Sequence, residues 1–172
     1  MANRYTMNKD TYTTMMNWIK QRQSVVSAIR IGNKILTMLV YVSFIVFVGW
    51  MIATDNQGWI RVLLKTGIPF VLLSAFRKIL ARKRPYEVYD SEPVIKRSKT
   101  GDSFPSRHIF SAFVIATTLG SINIYIGLAL GIVGLLVAIL RVVGGVHFIS
   151  DVLAGMVIGV LSGIIGVVVI GI

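Results

Sequence analysis

The chain has 172 residues, of which 55% are hydrophobic and 15% charged, and its mean hydropathy is +0.74. This composition excludes an ordinary soluble domain and predicts a single compact membrane domain. The formal net charge is +11, and the absence of cysteine excludes disulfides, thiolate nucleophiles and zinc–thiolate sites.

The first 34 residues are expected to form a polar segment followed by an amphipathic helix. Over residues 12–30, apolar side chains alternate with basic ones, and Lys20 and Arg22 lie in the middle of the stretch. Each such charge costs about 2.5–3.5 kcal/mol at the centre of a bilayer. The pattern therefore predicts an interfacial helix that lies on the membrane without crossing it.

Two spanning helices are expected next. Residues 35–53 are an uncharged run of about the length that crosses the hydrocarbon, and the polar residues 55–58 form a turn. Residues 59–76 then return across the membrane. Arg61 and Lys65 lie near the start of this second helix, where we expect both side chains to snorkel towards the surface.

A charged loop follows at residues 77–107, which contain nine of the eighteen lysines and arginines. Basic residues grouped between two apolar stretches indicate a lipid headgroup or a phosphate substrate as the partner, and not a nucleic acid. Positive-inside topology, or simple attraction to anionic lipid, would explain the same cluster without any substrate-binding site.

The last part of the chain predicts three more spanning helices. Residues 109–140 are uncharged and too long for one crossing, so a turn at 120–123 divides them into helices at roughly 106–120 and 123–141. A final helix begins near residue 147, and its glycines at four-residue spacing indicate close packing against a neighbouring helix. These glycines are Gly155, Gly159 and Gly163.

These elements predict an all-α integral membrane bundle with five spanning helices and an N-terminal interfacial helix. The chain divides into the N-terminal segment 1–34 and a membrane-embedded domain 35–172 that contains the active-site loop 77–107. Alternating helix directions place candidate site residues from distant parts of the sequence at one membrane face. They are Arg77, Arg84, Ser106, Arg107, His108, Arg141, His147 and Asp151.

The two histidines of the chain lie at predicted helix starts. Ser106 is placed to cap a helix that has His108 in its first turn, and the free N–H groups of such a terminus can hold an anion. His147 and Asp151 are four residues apart and share a helix face, where a carboxylate fixes the imidazole tautomer. This combination predicts phosphoryl transfer. The alternatives are a structural His–Asp pair and a Ser106 that acts only as a cap.

The pattern resembles the three-part signature of the type 2 phosphatidic acid phosphatases, membrane lipid phosphatases related to vanadium haloperoxidases. The first part is Arg77 followed after six residues by Arg84-Pro85, the second is Pro105-Ser106-Arg107-His108, and the third is Arg141, His147 and Asp151. Three positions depart from the family pattern. Arg77 stands where lysine is usual, Arg107 where glycine is usual, and Leu140 where a serine is usual.

The resemblance implies a role for each matching residue. His147 would be the nucleophile that forms a phosphohistidine, Asp151 would orient it, and His108 would protonate the leaving oxygen. The phosphoryl oxygens would be held by a group of basic and hydroxyl side chains, with no metal and no cofactor. This group comprises Arg77, Arg84, Ser106, Arg107 and Arg141.

The implied reaction is hydrolysis of a lipid phosphate monoester or pyrophosphate. Phosphatidate, phosphatidylglycerol phosphate and undecaprenyl pyrophosphate are the candidate substrates, and the setting is a bacterial cell membrane. The alternatives are a lipid phosphotransferase and a catalytically silent protein that binds anionic lipid. The resemblance favours an extracytoplasmic site, whereas Arg30 and Lys34 beside the basic loop favour a cytoplasmic one by the positive-inside rule.

Overall fold

The computed structural model describes residues 7–96 and 100–171, so Arg97 and Lys99 of the basic loop lie outside the described residues. Over these ranges the helices are joined by loops and there is no strand, which confirms the all-α prediction. The helices are α1 (Lys9–Lys20), α2 (Gln23–Ala53), α3 (Trp59–Leu80), α4 (Pro85–Tyr89), α5 (Arg107–Gly120), α6 (Ile124–Val143) and α7 (Ile149–Ile170).

The expected amphipathic helix over 12–30 is divided in two. The chain is extended at Arg22, where φ is −121° and ψ is 92°, and this break separates α1 from α2. The second half of the predicted helix is continuous with the first spanning segment. The apolar stripe of α1, formed by Tyr12, Met16 and Ile19, is buried in a cluster that also contains Phe148. Helix α1 therefore packs over the segment that carries the candidate nucleophile.

Among the described residues, four segments are long and apolar enough to cross a membrane. They are α2, residues Trp59–Tyr89 that contain α3, α6 and α7. Helix α5 has only 14 residues, a length of about 21 Å, against a hydrocarbon core of about 30 Å. Most of its side chains are buried, because α5 packs against α2, α3, α6 and α7. It is the central helix of the bundle.

The glycine stripe of α7 packs closely against α5, as predicted. A Cβ atom built on Gly155 would lie 2.7 Å from the Ser106 carbonyl oxygen, and one on Gly159 would lie 2.7 Å from the Phe110 carbonyl oxygen. Only glycine permits this approach of two backbones. The stripe thereby places the start of α7, with Asp151, beside the start of α5, with Ser106.

Lys65 does not snorkel as expected. Its side chain is 1% exposed within α3, and a Cβ atom on Gly166 of α7 would lie 3.1 Å from the Lys65 Cγ atom. The aliphatic stem therefore packs into the space that Gly166 leaves open. Lys65 is thus enclosed between α3 and α7 and does not lie at the surface as expected.

Local capping contacts fix where the helices end. The Asn123 side chain accepts hydrogen bonds from the backbone N–H groups of Tyr125 (3.0 Å) and Ile126 (3.3 Å), which starts α6. At the opposite end of the bundle, α3 stops because Ala81 adopts the left-handed conformation with φ of 44°. The chain then turns into the loop that holds Arg84.

Candidate active site

His147 lies directly before α7, and its partner is the carboxylate of Asp151. The imidazole Nδ1 is 3.4 Å from Asp151 Oδ2, and both side chains are buried. Helix α7 begins at Ile149, so the pair does not share a helix face as predicted. Instead the Asp151 carboxylate reaches back over the N-terminus of α7, where Oδ2 also accepts the N–H of Phe148 at 3.0 Å.

Arg84 is fully buried, and its guanidinium contacts the other nitrogen of the same imidazole. Arg84 Nη1 lies 3.5 Å from His147 Nε2 and donates to the Val146 carbonyl oxygen at 3.2 Å. Because a guanidinium only donates hydrogen bonds, Nε2 must carry a lone pair and Nδ1 the proton. The unprotonated nitrogen of His147 therefore faces the Arg84 cation.

Backbone carbonyls of the loop hold Arg77 and Arg84 in place. Arg84 donates through Nε to the Gly101 oxygen (3.0 Å) and through Nη2 to the Asp102 oxygen (3.3 Å). Arg77 donates to the carbonyl oxygens of Asp102 and Pro105. The two guanidinium groups thus share Asp102 as an acceptor, which fixes their relative position.

These side chains surround a small pocket of about 50 Å³ at one end of the bundle. Five of the eight predicted site residues line it, namely Arg77, Arg84, Arg107, His108 and His147. Ser74, Lys78 and Asp102 complete the lining. Groups from α3, from the loop and from the N-terminus of α5 therefore converge on His147, as the alternating helix directions predicted.

Ser106 occupies the N-cap position of α5 but does not cap it through its side chain. Its backbone N–H donates to the Asp151 carbonyl oxygen at 2.8 Å, which joins α5 to α7. The Ser106 Oγ atom is buried and has no hydrogen-bond partner among the described residues. A buried hydroxyl group without a partner is a costly arrangement that a bound oxyanion would satisfy.

Arg107 and Arg141 flank the pocket differently. The Arg107 guanidinium lies 5.7 Å from the centre of the Phe70 ring and lines the pocket. Arg141 is buried at the end of α6 and is not among the lining residues. Its charge nevertheless acts on His147, where it disfavours protonation.

The environment of His147 keeps its imidazole neutral. Burial lowers the pKa of His147 well below its ordinary value of 6.5, and the charges of Arg84 and Arg141 lower it further. The hydrogen bond that His147 donates to Asp151 opposes this shift without overcoming it. A neutral imidazole with a free lone pair on Nε2 is the nucleophilic form.

Three contributing side chains were missed by the sequence analysis. Arg82 Nη1 donates to Asp151 Oδ1 at 3.0 Å, and Ser103 Oγ donates to Asp151 Oδ2 at 2.5 Å. Glu87 accepts the backbone N–H groups of Arg84 (2.8 Å) and Gly101 (2.9 Å). Only Glu87 had a sequence signal, since it stands three residues after Arg84 at the spacing of a capping box.

The residues in the described ranges include no group of three or more His, Asp or Glu side chains placed to hold a metal ion. Metal-independent chemistry remains a prediction from the resemblance. What the site does contain is a neutral imidazole, with a carboxylate at one ring nitrogen and several cations near the other.

Two solved structures share the fold of this chain. Aquifex aeolicus LpxE shares 22% sequence identity with the chain and has a similar structure, with a TM-score of 0.73 over 97% of this chain and 98% of that one. A PAP2 type phosphatidylglycerolphosphate phosphatase from Bacillus subtilis shares 25% identity, with a TM-score of 0.59 over 90% of each chain. No curated protein sequence matches the chain.

The sequence pattern that defines the PAP2 superfamily matches residues 58–171, about two thirds of the chain. The matched segment contains every candidate site residue and the helices that carry them. The chain therefore belongs to the PAP2 superfamily and is a membrane phosphatase that hydrolyses phosphoric esters.

Proposed function

We propose that the protein hydrolyses a lipid phosphate monoester or pyrophosphate through a phosphohistidine on His147. The observation that carries the proposal is the position of the buried imidazole. Its Nδ1 faces Asp151 and its Nε2 opens towards an arginine-lined pocket. This is the arrangement that an in-line nucleophile on phosphorus requires, because phosphoryl transfer depends mainly on positioning and on stabilisation of charge.

In the first step the Nε2 lone pair of His147 attacks phosphorus, and the bond between phosphorus and the leaving oxygen breaks. His108 gives a proton to that oxygen. The imidazole becomes a positively charged phosphoimidazole, which the Asp151 carboxylate stabilises through Nδ1–H. The covalent intermediate divides one difficult displacement into two easier ones.

In the second step a water molecule attacks phosphorus and the phosphorus–nitrogen bond breaks. The electron pair returns to Nε2, and His108 accepts the proton of the water. In both steps the negative oxygens are held by Arg77 and Arg84, together with the otherwise unsatisfied hydroxyl of Ser106. Arg107 and Arg141 add positive charge at the edge of the pocket and behind it.

The proposal includes a topology with five crossings and an interfacial α1. Helix α5 is the fifth crossing, and its short length is tolerated because surrounding helices shield it from lipid. The site then lies at the membrane face that also carries α1, and we favour the extracytoplasmic face of a bacterial cell membrane. Phosphatidate, phosphatidylglycerol phosphate and undecaprenyl pyrophosphate are the substrates to compare.

The test is phosphate release from these three lipids by purified protein in detergent, with EDTA present. We expect release that vanadate inhibits and that His147→Ala abolishes. Lys83→Ala is the matched control, because Lys83 is an exposed cation of the same loop that does not line the pocket. A folded wild-type protein that binds these lipids but releases no phosphate would contradict the proposal and favour a lipid-binding role.

A further inference from the structure

Arg82 forms an ion pair with the Asp151 carboxylate, and the proposed reaction does not use it. Its Nη1 donates to Asp151 Oδ1 at 3.0 Å, while the His147 Nδ1 faces the other oxygen, Oδ2, at 3.4 Å. The Arg82 side chain is 18% exposed, whereas the Asp151 side chain is fully buried. The carboxylate therefore stands between a permanent cation and the nucleophilic imidazole.

Two aromatic rings hold the Arg82 guanidinium in position. Its central carbon lies 5.1 Å from the centre of the Phe148 ring and 5.4 Å from that of Phe104. Phe148 follows His147 directly, and Phe104 lies two residues before Ser106. The face of an aromatic ring attracts a guanidinium cation electrostatically. Arg82 thus connects the two loop segments that carry the nucleophile and the phosphate-binding serine.

Arg82 could orient the Asp151 carboxylate or could neutralise its charge. The other contacts of Asp151 distinguish these two roles. Oδ2 is already held by Ser103 Oγ at 2.5 Å and by the N–H of Phe148 at 3.0 Å. These two neutral donors suffice to orient the oxygen that faces His147. What Arg82 adds at Oδ1 is a full positive charge, so its distinctive contribution is electrostatic.

We propose that Arg82 is a positioning residue that partly neutralises the Asp151 carboxylate facing His147. Arg82 thereby keeps the imidazole neutral and its phosphorylated form short-lived. With Oδ1 neutralised by Arg82, the carboxylate stabilises a charged imidazole less strongly. A weakly stabilised phosphoimidazole is the better leaving group when water attacks phosphorus. The inference rests on the proposed function, because it assigns a role in that same reaction.

Several other charged groups surround His147 and stay unchanged when Arg82 is replaced. They are Asp151 from α7, Arg141 from α6, Arg84 from the loop, Arg77 and Lys78 from α3, and Arg107 and His108 from α5. Because all of them remain, a change in the titration of His147 can be assigned to the lost charge at Asp151 Oδ1.

The experiment uses the fact that the chain has only two histidines. We would label the full-length protein with isotopic histidine and follow the His147 ring by NMR in detergent while the pH is lowered. In Arg82→Gln we expect the protonation midpoint of His147 to rise by about one pH unit, since loss of a nearby charge shifts a titration by one to three units. Arg82→Lys, which keeps the charge, should restore most of the wild-type behaviour.

Lys83→Gln is the matched control, because it removes an adjacent exposed cation that has no contact with Asp151. Equal protonation midpoints of His147 in Arg82→Gln and Lys83→Gln would overturn the inference. The same holds if the His147 imidazole of Arg82→Gln stays neutral at every pH at which the protein is folded. A midpoint that rises equally in Arg82→Lys would also overturn it, since geometry and not charge would then be responsible.

A second measurement connects this role to turnover. Rapid quenching in alkaline detergent preserves a phosphohistidine. With a labelled lipid phosphate it should trap more phosphoenzyme in Arg82→Gln than in the wild type, with kcat and KM lowered together because only the second step is slowed. If no variant forms a phosphoenzyme, the proposed function fails, while the NMR titration still decides the role of Arg82. An unchanged amount of phosphoenzyme in an active Arg82→Gln variant would count against the inference.

Discussion

At the residue scale, the site joins an imidazole that burial keeps neutral to a set of cations that lower its pKa further. His147 has Arg84 at one ring nitrogen and Asp151 at the other. The arginines that would bind phosphate therefore also lower the basicity of the nucleophile before the substrate arrives. Binding a phosphate would offset part of their charge, so the imidazole becomes a better nucleophile when the substrate is in place.

The lowered pKa of His147 predicts how stability changes with pH. Because the folded protein resists protonating this ring and the unfolded chain does not, the contribution of His147 is fully present above about pH 6.5 and decreases as the pH falls below that value. Each pH unit of such titration corresponds to about 1.4 kcal/mol, or about 3–6 °C in melting temperature for a chain of this size.

We therefore expect the melting temperature of the wild type to decrease more on acidification than that of His147→Asn, measured by thermal unfolding in detergent. Asparagine retains a polar side chain but does not titrate. The carboxylates that titrate in the same range are common to both proteins, so they cancel in the comparison. Parallel melting curves at all pH values would show that the folded state does not hold His147 neutral.

Arg107 predicts a preference between substrates. It adds a cation beside Arg77 and Arg84, and its guanidinium lies 5.7 Å from the Phe70 ring at the edge of the pocket. A second phosphate group would be the natural acceptor for this extra charge. A charge-assisted hydrogen bond contributes about 1.5–3 kcal/mol, which corresponds to roughly tenfold or more in rate or affinity.

Arg107→Gly should therefore reduce kcat/KM for a lipid diphosphate roughly tenfold relative to that for a monophosphate. Phosphate release from the two lipids, measured for the wild type and the variant in the same detergent, gives this ratio. A ratio that does not change would mean that Arg107 does not contact the second phosphate.

At the element scale, the contact between α5 and α7 sets the geometry of the site. Ser106 and His108 lie at the start of α5, and Asp151 lies in the first turn of α7. The glycines of α7 let the two helices meet backbone to backbone, and the Ser106 N–H bonds to the Asp151 carbonyl oxygen. A small separation of these helices would therefore move the proposed acid, phosphate site and nucleophile apart.

Gly159→Ala should destabilise the protein by about 1–3 kcal/mol and lower turnover, because its Cβ would lie 2.7 Å from the Phe110 carbonyl oxygen. Gly49→Ala is the matched control, since a Cβ on this exposed helical glycine of α2 would meet nothing within 4 Å. Thermal unfolding and phosphate release measure both effects. Equal stability of the two variants would show that α5 and α7 can separate without cost.

The structure of the membrane-embedded part could be predicted from the sequence better than that of the N-terminal part. The spanning segments, the turn at 120–123 and the glycine stripe follow from hydropathy and spacing, which are local signals. The break at Gln21 and Arg22 does not, because neither residue disfavours a helix. It arises from tertiary packing, since Tyr12 of α1 donates a hydrogen bond to the Gly145 carbonyl oxygen at 3.0 Å.

The candidate site also contains residues that the sequence could predict and residues that it could not. The residues at motif spacing were predicted, and most of them line one pocket. Arg82 and Ser103 reach Asp151 only because of the path of the loop between α3 and α5, which has no periodicity to read. Likewise, the His147–Asp151 contact was predicted from helical spacing, but the carboxylate makes it from inside α7 to a residue before the helix.

At the scale of the whole molecule, the site and the turn between α2 and α3 lie at opposite ends of the bundle. Arg77 lies in the last turn of α3 and Arg84 follows the helix at the site end, whereas the turn at 54–58 precedes it. The absence of cysteine makes this arrangement simple to test, because any single cysteine introduced is the only thiol in the chain. Lys83 and Gln57 are both exposed and lie at the two ends.

We expect Lys83→Cys to react with a membrane-impermeant maleimide in intact cells, and Gln57→Cys to react only after permeabilisation. This result would place the site on the extracytoplasmic face, even though Arg30 and Lys34 at the same end favour the cytoplasm by the positive-inside rule. Labelling in the reverse order would show that these surface charges set the topology. Labelling of both positions from one side would contradict the crossing of α3, and with it the convergence of the arginines on His147 at a single membrane face.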